Sequence, residues 1–199
     1  MSKSDLYEGR EQTLVKHYIL GKYFERFAHI IGSRWDTINY VDCFAGPWNV
    51  KSDKFEDSSF YIALRELRKA RDTHRARGRD VRLRCFFLEK DPKAYQVLKQ
   101  FADGVKDAEI ETKNAELESA VDDIVEFASA QGDQAFTFTF IDPTGWSGFA
   151  MSKIAPLLKI EPGEVLINFM TEHIRRFLYS PQQHTQQSFE DLFGSGRTR

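Results

Sequence analysis

The sequence predicts an α/β fold with a doubly wound, mainly parallel sheet. Five short runs of strand-forming residues alternate with segments of helical periodicity along the chain. Four of those runs end at acidic or amide side chains, where open sheets of this kind bind their ligands. No repeat, low-complexity tract or interdomain linker breaks the alternation. Residues 1–199 therefore read as one domain, with an N-terminal helical segment over 1–36 and a polar tail over 181–199.

Each element has its own signal. Leu14, His17, Tyr18, Gly21, Phe24, Phe27, Ala28 and Ile31 recur at helical spacing, which predicts an amphipathic helix over 10–31. Residues 37–42 read as a strand that passes at once into Cys43-Phe44-Ala45-Gly46-Pro47. Asp57 and Ser58 are placed to cap a helix carrying Ala63, Leu64 and Leu67, and 74–80 is a polar break. A second strand spans 81–88. Pro92 suits the first turn of the next helix, which carries Tyr95, Leu98 and Phe101. A weak third strand covers 109–113, and a helix over 117–128 gathers Val121, Ile124, Val125 and Ala128 on one face. Residues 135–141 are the clearest strand, followed by a short helix over 152–159 and a fifth strand over 164–170.

Composition narrows the class. Apolar residues make up 41% and charged residues 29% of the 199, an ordinary balance for a packed globular chain. Phe, with 17 copies, favours an aromatic core. No stretch approaches the roughly 20 apolar residues of a membrane span, and the N-terminus has no signal-peptide core, which predicts a cytoplasmic protein that does not enter a membrane. Cys43 and Cys85 lack partners at metal-ligand spacing and read as reduced, buried thiols. The net charge is −2, but residues 65–84 hold nine bases (65, 68, 69, 71, 75, 77, 79, 82 and 84) against three acids (66, 72 and 80). That local excess of six suits either a solvated surface or a nucleic-acid face.

Chemistry is expected at the strand ends. Asp42 closes the first strand, and the turn Phe44, Gly46, Pro47 after it lets backbone approach a small ligand. A G-x-G pattern is absent there, because Trp48 holds the second position. Glu89, followed by Lys90, closes the second strand, where an acid accepts both ribose hydroxyls of a nucleoside cofactor or simply stands at a helix start. The offset between Asp42 and Glu89 exceeds the usual ~20 residues, so an insertion lies between them. Asn114, after the third strand, faces an adenine amino group or caps a loop. Asp142-Pro143-Thr144-Gly145-Trp146 follows the fourth strand. An acid-Pro turn with a following aromatic suits amine methylation: Asp142 accepts from the acceptor NH2, Pro143 fixes the turn, and Trp146 stacks on a flat base. Thr144 departs from a second Pro, and the aromatic falls one place late. His173, Arg175 and Arg176 follow the fifth strand and suit an anion or a solvated helix start. The sequence has no phosphate loop, no metal cluster and no Ser-His-Asp or Cys-His pattern.

Taken together, several runs resemble the three-Cys-motif partner proteins. These are Lys16-x-x-Ile19-Leu20-x-x-Tyr23, Tyr40-Val41-Asp42-Cys43-Phe44-Ala45-Gly46-Pro47 and Ser58-Ser59-x-x-Ile62-Ala63-Leu64. Phe87-Leu88-Glu89-Lys90-Asp91-Pro92, Phe140-Ile141-Asp142-Pro143-Thr144-Gly145, Glu164-Val165-Leu166-Ile167-Asn168-Phe169-Met170 and Leu192-Phe193-Gly194 continue the match in order. The resemblance implies a Rossmann-like fold of the S-adenosylmethionine (SAM) methyltransferase type, a bacterial or phage setting, and a separate radical-SAM-like partner that carries the three cysteines. It also implies a longer sheet in the family, so this chain is expected to be either truncated after the fifth strand or a naturally short form. The leading expectation is a SAM-dependent methyltransferase acting on a nucleic-acid base or another amine. The alternative is a non-catalytic Rossmann-like adaptor for the three-cysteine protein. A nicotinamide-dependent oxidoreductase is disfavoured by the missing G-x-G-x-x-G.

Overall fold

The computed structural model describes residues 5–47, 50–143, 145 and 148–169. One sheet holds five parallel strands: β1 (Thr37–Asp42), β2 (Arg82–Glu89), β3 (Glu109–Asn114), β4 (Ala135–Ile141) and β5 (Gly163–Ile167). Their order is β3-β2-β1-β4-β5. The chain therefore winds outward from β1 through β2 to β3, returns across the sheet, and continues from β4 to β5. The winding reverses between β1 and β4, which are paired directly with Asp42 opposite Phe140. A crevice opens at the carboxyl ends of strands flanking such a reversal.

Helices cover both faces, as parallel pairing requires. On one face α1 (Glu11–Gly32), α2 (Ser59–Arg75) and α3 (Pro92–Gly104) bury Phe24, Phe27, Leu64, Leu67 and Leu98 against Ile38, Tyr40, Phe87 and Phe138. On the other, α4 (Val121–Ser129) and the short α5 (Met151–Ile154) pack Ile124, Phe127 and Ile154 against Val41, Phe86, Leu88 and Ile141. β1 and β4 are buried at every position, whereas the edge strand β3 is only partly covered. That difference explains why β3 is the weakest strand signal in the sequence. Aromatic rings fill the first face: Phe24 meets Phe138 edge-on at 4.8 Å between centroids, and Phe60 meets Phe101 at 4.9 Å. Each such side chain contributes roughly 1.5–3 kcal/mol on burial.

Several boundaries shift from expectation. α1 buries Leu20, Phe24, Phe27, Ala28 and Ile31, but Leu14 and Tyr18 are 41% and 64% exposed. The buried stripe is thus narrower than the apolar periodicity. The helix expected over 117–128 begins as a 3-10 turn at Leu117–Ser119 before α4, and the one over 152–159 divides into α5 and a 3-10 turn at Leu157–Lys159. The fifth strand ends at Ile167 rather than 170. Ser58 caps α2 as anticipated, accepting from the Tyr61 amide. Asp57 does not: its carboxylate takes the Lys51 and Ser52 amides at 2.9 and 3.1 Å and Arg10 at 2.7 Å, closing the loop before the helix. No helix among the described residues is long and apolar enough to cross a membrane.

Candidate functional site

The turn after β1 is stitched to both neighbouring strands. The Cys43 amide donates to the Phe140 carbonyl at 2.9 Å, and the Ala45 amide donates to that of Leu88 at 2.9 Å. Asp42 anchors the turn from inside. Its Oδ2 accepts from the hydroxyls of Ser59 at 2.6 Å and Tyr40 at 3.0 Å, and its Oδ1 accepts from the Phe44 amide at 3.2 Å. The residue is fully buried, and burial pushes its carboxyl up to about 6 despite those three donors; the nearby Asp142 charge acts in the same direction. Asp42 therefore ties the turn to the first residue of α2, while Phe44, Gly46 and Pro47 form the partly exposed rim.

At the end of β2, Glu89 is 3% exposed and accepts from the Asp91 amide at 2.6 Å. Asp91 in turn caps α3, taking the Lys93 and Ala94 amides at 3.0 and 2.8 Å, with Pro92 in the first turn as expected. Asn114 closes β3 and folds back over this turn. Its Nδ2 donates to the carbonyls of Glu89 at 2.7 Å and Lys90 at 3.0 Å, and no donor among the described residues meets its Oδ1. The Lys90 ammonium lies 3.7 Å from Glu116. Glu89, Lys90 and Asn114 thus converge as one cluster, next to the turn that Asp42 holds.

Asp142 lies just beyond β4, across the reversal point from Asp42. Its Oδ1 accepts from Lys16 Nζ at 2.8 Å and from Asn168 Nδ2 at 2.6 Å. The Asn168 amide also continues the β4–β5 ladder, donating to the Ile141 carbonyl at 2.9 Å. The Asp142 side chain is 16% exposed, and no donor among the described residues meets its Oδ2. Pro143 is buried behind it. Trp146 and Thr144 lie outside the described residues, as do His173, Arg175, Arg176 and the Leu192-Phe193-Gly194 run.

Sequence reasoning missed the contribution of α1. Lys16 stands in a run quoted only for its resemblance, and nothing in helical periodicity ties it to a residue 126 positions later. Its neighbour His17 meets the Tyr7 hydroxyl through Nδ1 at 2.9 Å. Burial pushes the His17 imidazole down to about 4, against the opposing pull of Asp142 and Asp57. A groove of about 470 Å3 lined by Tyr7, His17, Tyr18 and Glu66 runs between α1 and α2, and none of Asp142, Glu89 and Asn114 lines it. Seven of the nine bases in the basic stretch have acidic partners within the fold. Arg68 and Arg71 clasp Asp107, Arg65 and Lys69 flank Glu66, Arg75 meets Asp80, Arg79 meets Asp36, and the buried Arg84 meets Glu109. Among the described residues no group of three or more His, Cys, Asp or Glu side chains is placed to hold a metal ion.

No protein-family model and no curated protein matches this chain. Among solved structures it is similar to a loganic acid methyltransferase with SAH, at 10% identity and a TM-score of 0.40. The match covers 96% of this chain and 49% of the other, so the chain spans about half the length of that protein. The fold itself rests on the sheet, whose five parallel strands run in the order β3-β2-β1-β4-β5.

Proposed function

We propose that this chain is a SAM-dependent methyltransferase domain acting on an amine, with an exocyclic base amine as the preferred class of acceptor. The observation that supports it most is Asp142: a partly exposed carboxylate at the reversal point of the sheet, with one oxygen doubly held and the other met by no donor among the described residues. The neighbouring groups fit the cofactor's chemistry. Glu89 suits the ribose hydroxyls, the Asn114 Oδ1 suits the adenine amine, and the rim at Phe44, Gly46 and Pro47 suits the methionine part. Bound there, SAM supplies a methyl group on a positively charged sulfur. Asp142 Oδ2 accepts one N–H of the acceptor, which aims the nitrogen lone pair; the alkylated nitrogen then sheds one proton to solvent. Positioning of this kind supplies most of the rate in a transfer between two bound partners. The three-cysteine, radical-SAM-like partner belongs to this reading through the sequence resemblance alone, and the cytoplasmic setting through the apolar pattern of the sequence.

Asp142→Asn tests it. With Lys16 and Asn168 both donating to Oδ1, the asparagine amide must place its oxygen toward them and its NH2 toward the acceptor. A donor then faces a donor. Transfer of labelled methyl from SAM into pooled DNA, RNA and protein is expected to fall at least tenfold, with SAM affinity and folding retained, as for an interaction made at the reacting centre. Equal transfer by the variant would remove Asp142 from the acceptor site. One observation favours the adaptor reading instead: Asp42 and Glu89 are almost wholly buried and bonded to the protein's own backbone, as in a site kept for its shape. Tight SAM binding without any transfer would select it.

A further inference from the structure

We propose that Lys16 and Asn168 are the positioning residues of Asp142, and that α1 is thereby part of the acceptor site rather than an appendage to the sheet. This inference rests on the methyltransferase reading above. A carboxylate has two oxygens and rotates about its terminal bond unless something fixes it. Here two donors from separate elements, the Lys16 ammonium from α1 and the Asn168 amide from the residue after β5, converge on the same oxygen at 2.8 and 2.6 Å. The Lys16 bond is charge-assisted, which makes it both short and strong. The Asn168 bond is rigid for a different reason: the Asn168 backbone amide itself donates to the carbonyl of Ile141, the last residue of β4. Together they set the carboxylate plane and leave Oδ2 as its accepting edge.

The arrangement also sets the charge at the acceptor. Lys16 and Asp142 are 28% and 16% exposed at their side chains, so this pair is shielded more than a surface ion pair. With Lys16 beside it, the carboxylate offers an acceptor without presenting an unbalanced negative charge. Such a site suits a neutral, planar amine such as that of a nucleobase, which needs orientation, over an alkylammonium, which a bare carboxylate would attract.

The test uses Lys16→Met, Lys16→Arg and Asn168→Ala in the 199-residue protein, with labelled SAM, DNA from a methylation-deficient host, and calorimetry with S-adenosylhomocysteine. Lys16→Met is expected to lower kcat at least tenfold while S-adenosylhomocysteine affinity changes less than twofold and the melting curve stays cooperative. Lys16→Arg, which keeps a charged donor, is expected to recover a substantial part of that loss, and Asn168→Ala to lower kcat less than Lys16→Met. Lys16→Met with wild-type kcat, or an equal loss of S-adenosylhomocysteine affinity, would overturn the positioning role and leave the methyltransferase reading standing. A wild-type protein that binds S-adenosylhomocysteine and labels nothing would overturn both.

Discussion

Asp42 is the residue on which the site's framework depends. Its fully buried carboxylate is the common acceptor for the Ser59 and Tyr40 hydroxyls and the Phe44 amide, with Ser59 and Phe44 themselves partly exposed. Asp42→Ala leaves these donors without a partner. At roughly 1–3 kcal/mol for a buried unsatisfied group, the change is expected to destabilise the fold by about 3 kcal/mol in urea titrations. A loss of cofactor affinity in this variant would therefore report on the turn and not on a direct contact. A destabilisation below about 0.5 kcal/mol would mean that the turn holds without it.

His17 and Asp42 also give opposite pH responses. The folded His17 value of about 4 lies below its ordinary 6.5, so the native state binds fewer protons than the unfolded chain between those values. Its stabilising contribution is complete above pH 6.5 and is lost as pH falls toward 4. Asp42, raised from 3.8 to about 6, binds more protons when folded, and its contribution is lost as pH rises through 6. His17→Gln is accordingly expected to reduce the loss of stability between pH 7 and pH 5, measured by thermal melts at the two pH values. An unchanged difference would place the acid sensitivity elsewhere.

At the scale of elements, the strands were the most legible part of the sequence, for a physical reason. Inner parallel strands are buried on both faces, and 135–141 and 37–42 carry the aromatic and β-branched residues such strands favour, with Asn39, Thr137 and Thr139 buried among them. Their acidic or amide ends could be located as soon as the strands were. The link between α1 and β4 was not legible, because the Lys16–Asp142 bond joins residues that only the tertiary fold brings together. The same holds for the basic stretch. Its local excess of positive charge invites a nucleic-acid reading, yet Asp107 and Glu109, beyond the stretch in sequence, take up Arg68, Arg71 and Arg84. At this scale Asp91→Ala, which removes both N-terminal bonds of α3, is expected to cost about 1 kcal/mol of stability in denaturant titrations. The Asp91 backbone amide that holds Glu89 survives this substitution, so cofactor affinity is expected to change little.

For the whole molecule, the order β3-β2-β1-β4-β5 carries Glu89, Asn114 and the Asp42 turn to one edge of the sheet, together with Asp142. Each lies near the end of its strand, and the reversal between β1 and β4 sets the Asp142 carboxylate beside the turn. The central claim is that this edge holds an S-adenosyl cofactor. Titration calorimetry with SAM, S-adenosylhomocysteine and NAD, on wild type and Glu89→Gln, tests it most directly. Glutamine preserves the bulk and the carbonyl that accepts the Asp91 amide but removes the carboxylate charge. The account predicts one site for SAM and S-adenosylhomocysteine, no measurable heat with NAD, and about a tenfold weaker affinity in Glu89→Gln, the equivalent of about 1.4 kcal/mol. Binding of NAD in preference to SAM, or SAM affinity indifferent to Glu89→Gln in a folded protein, would contradict it.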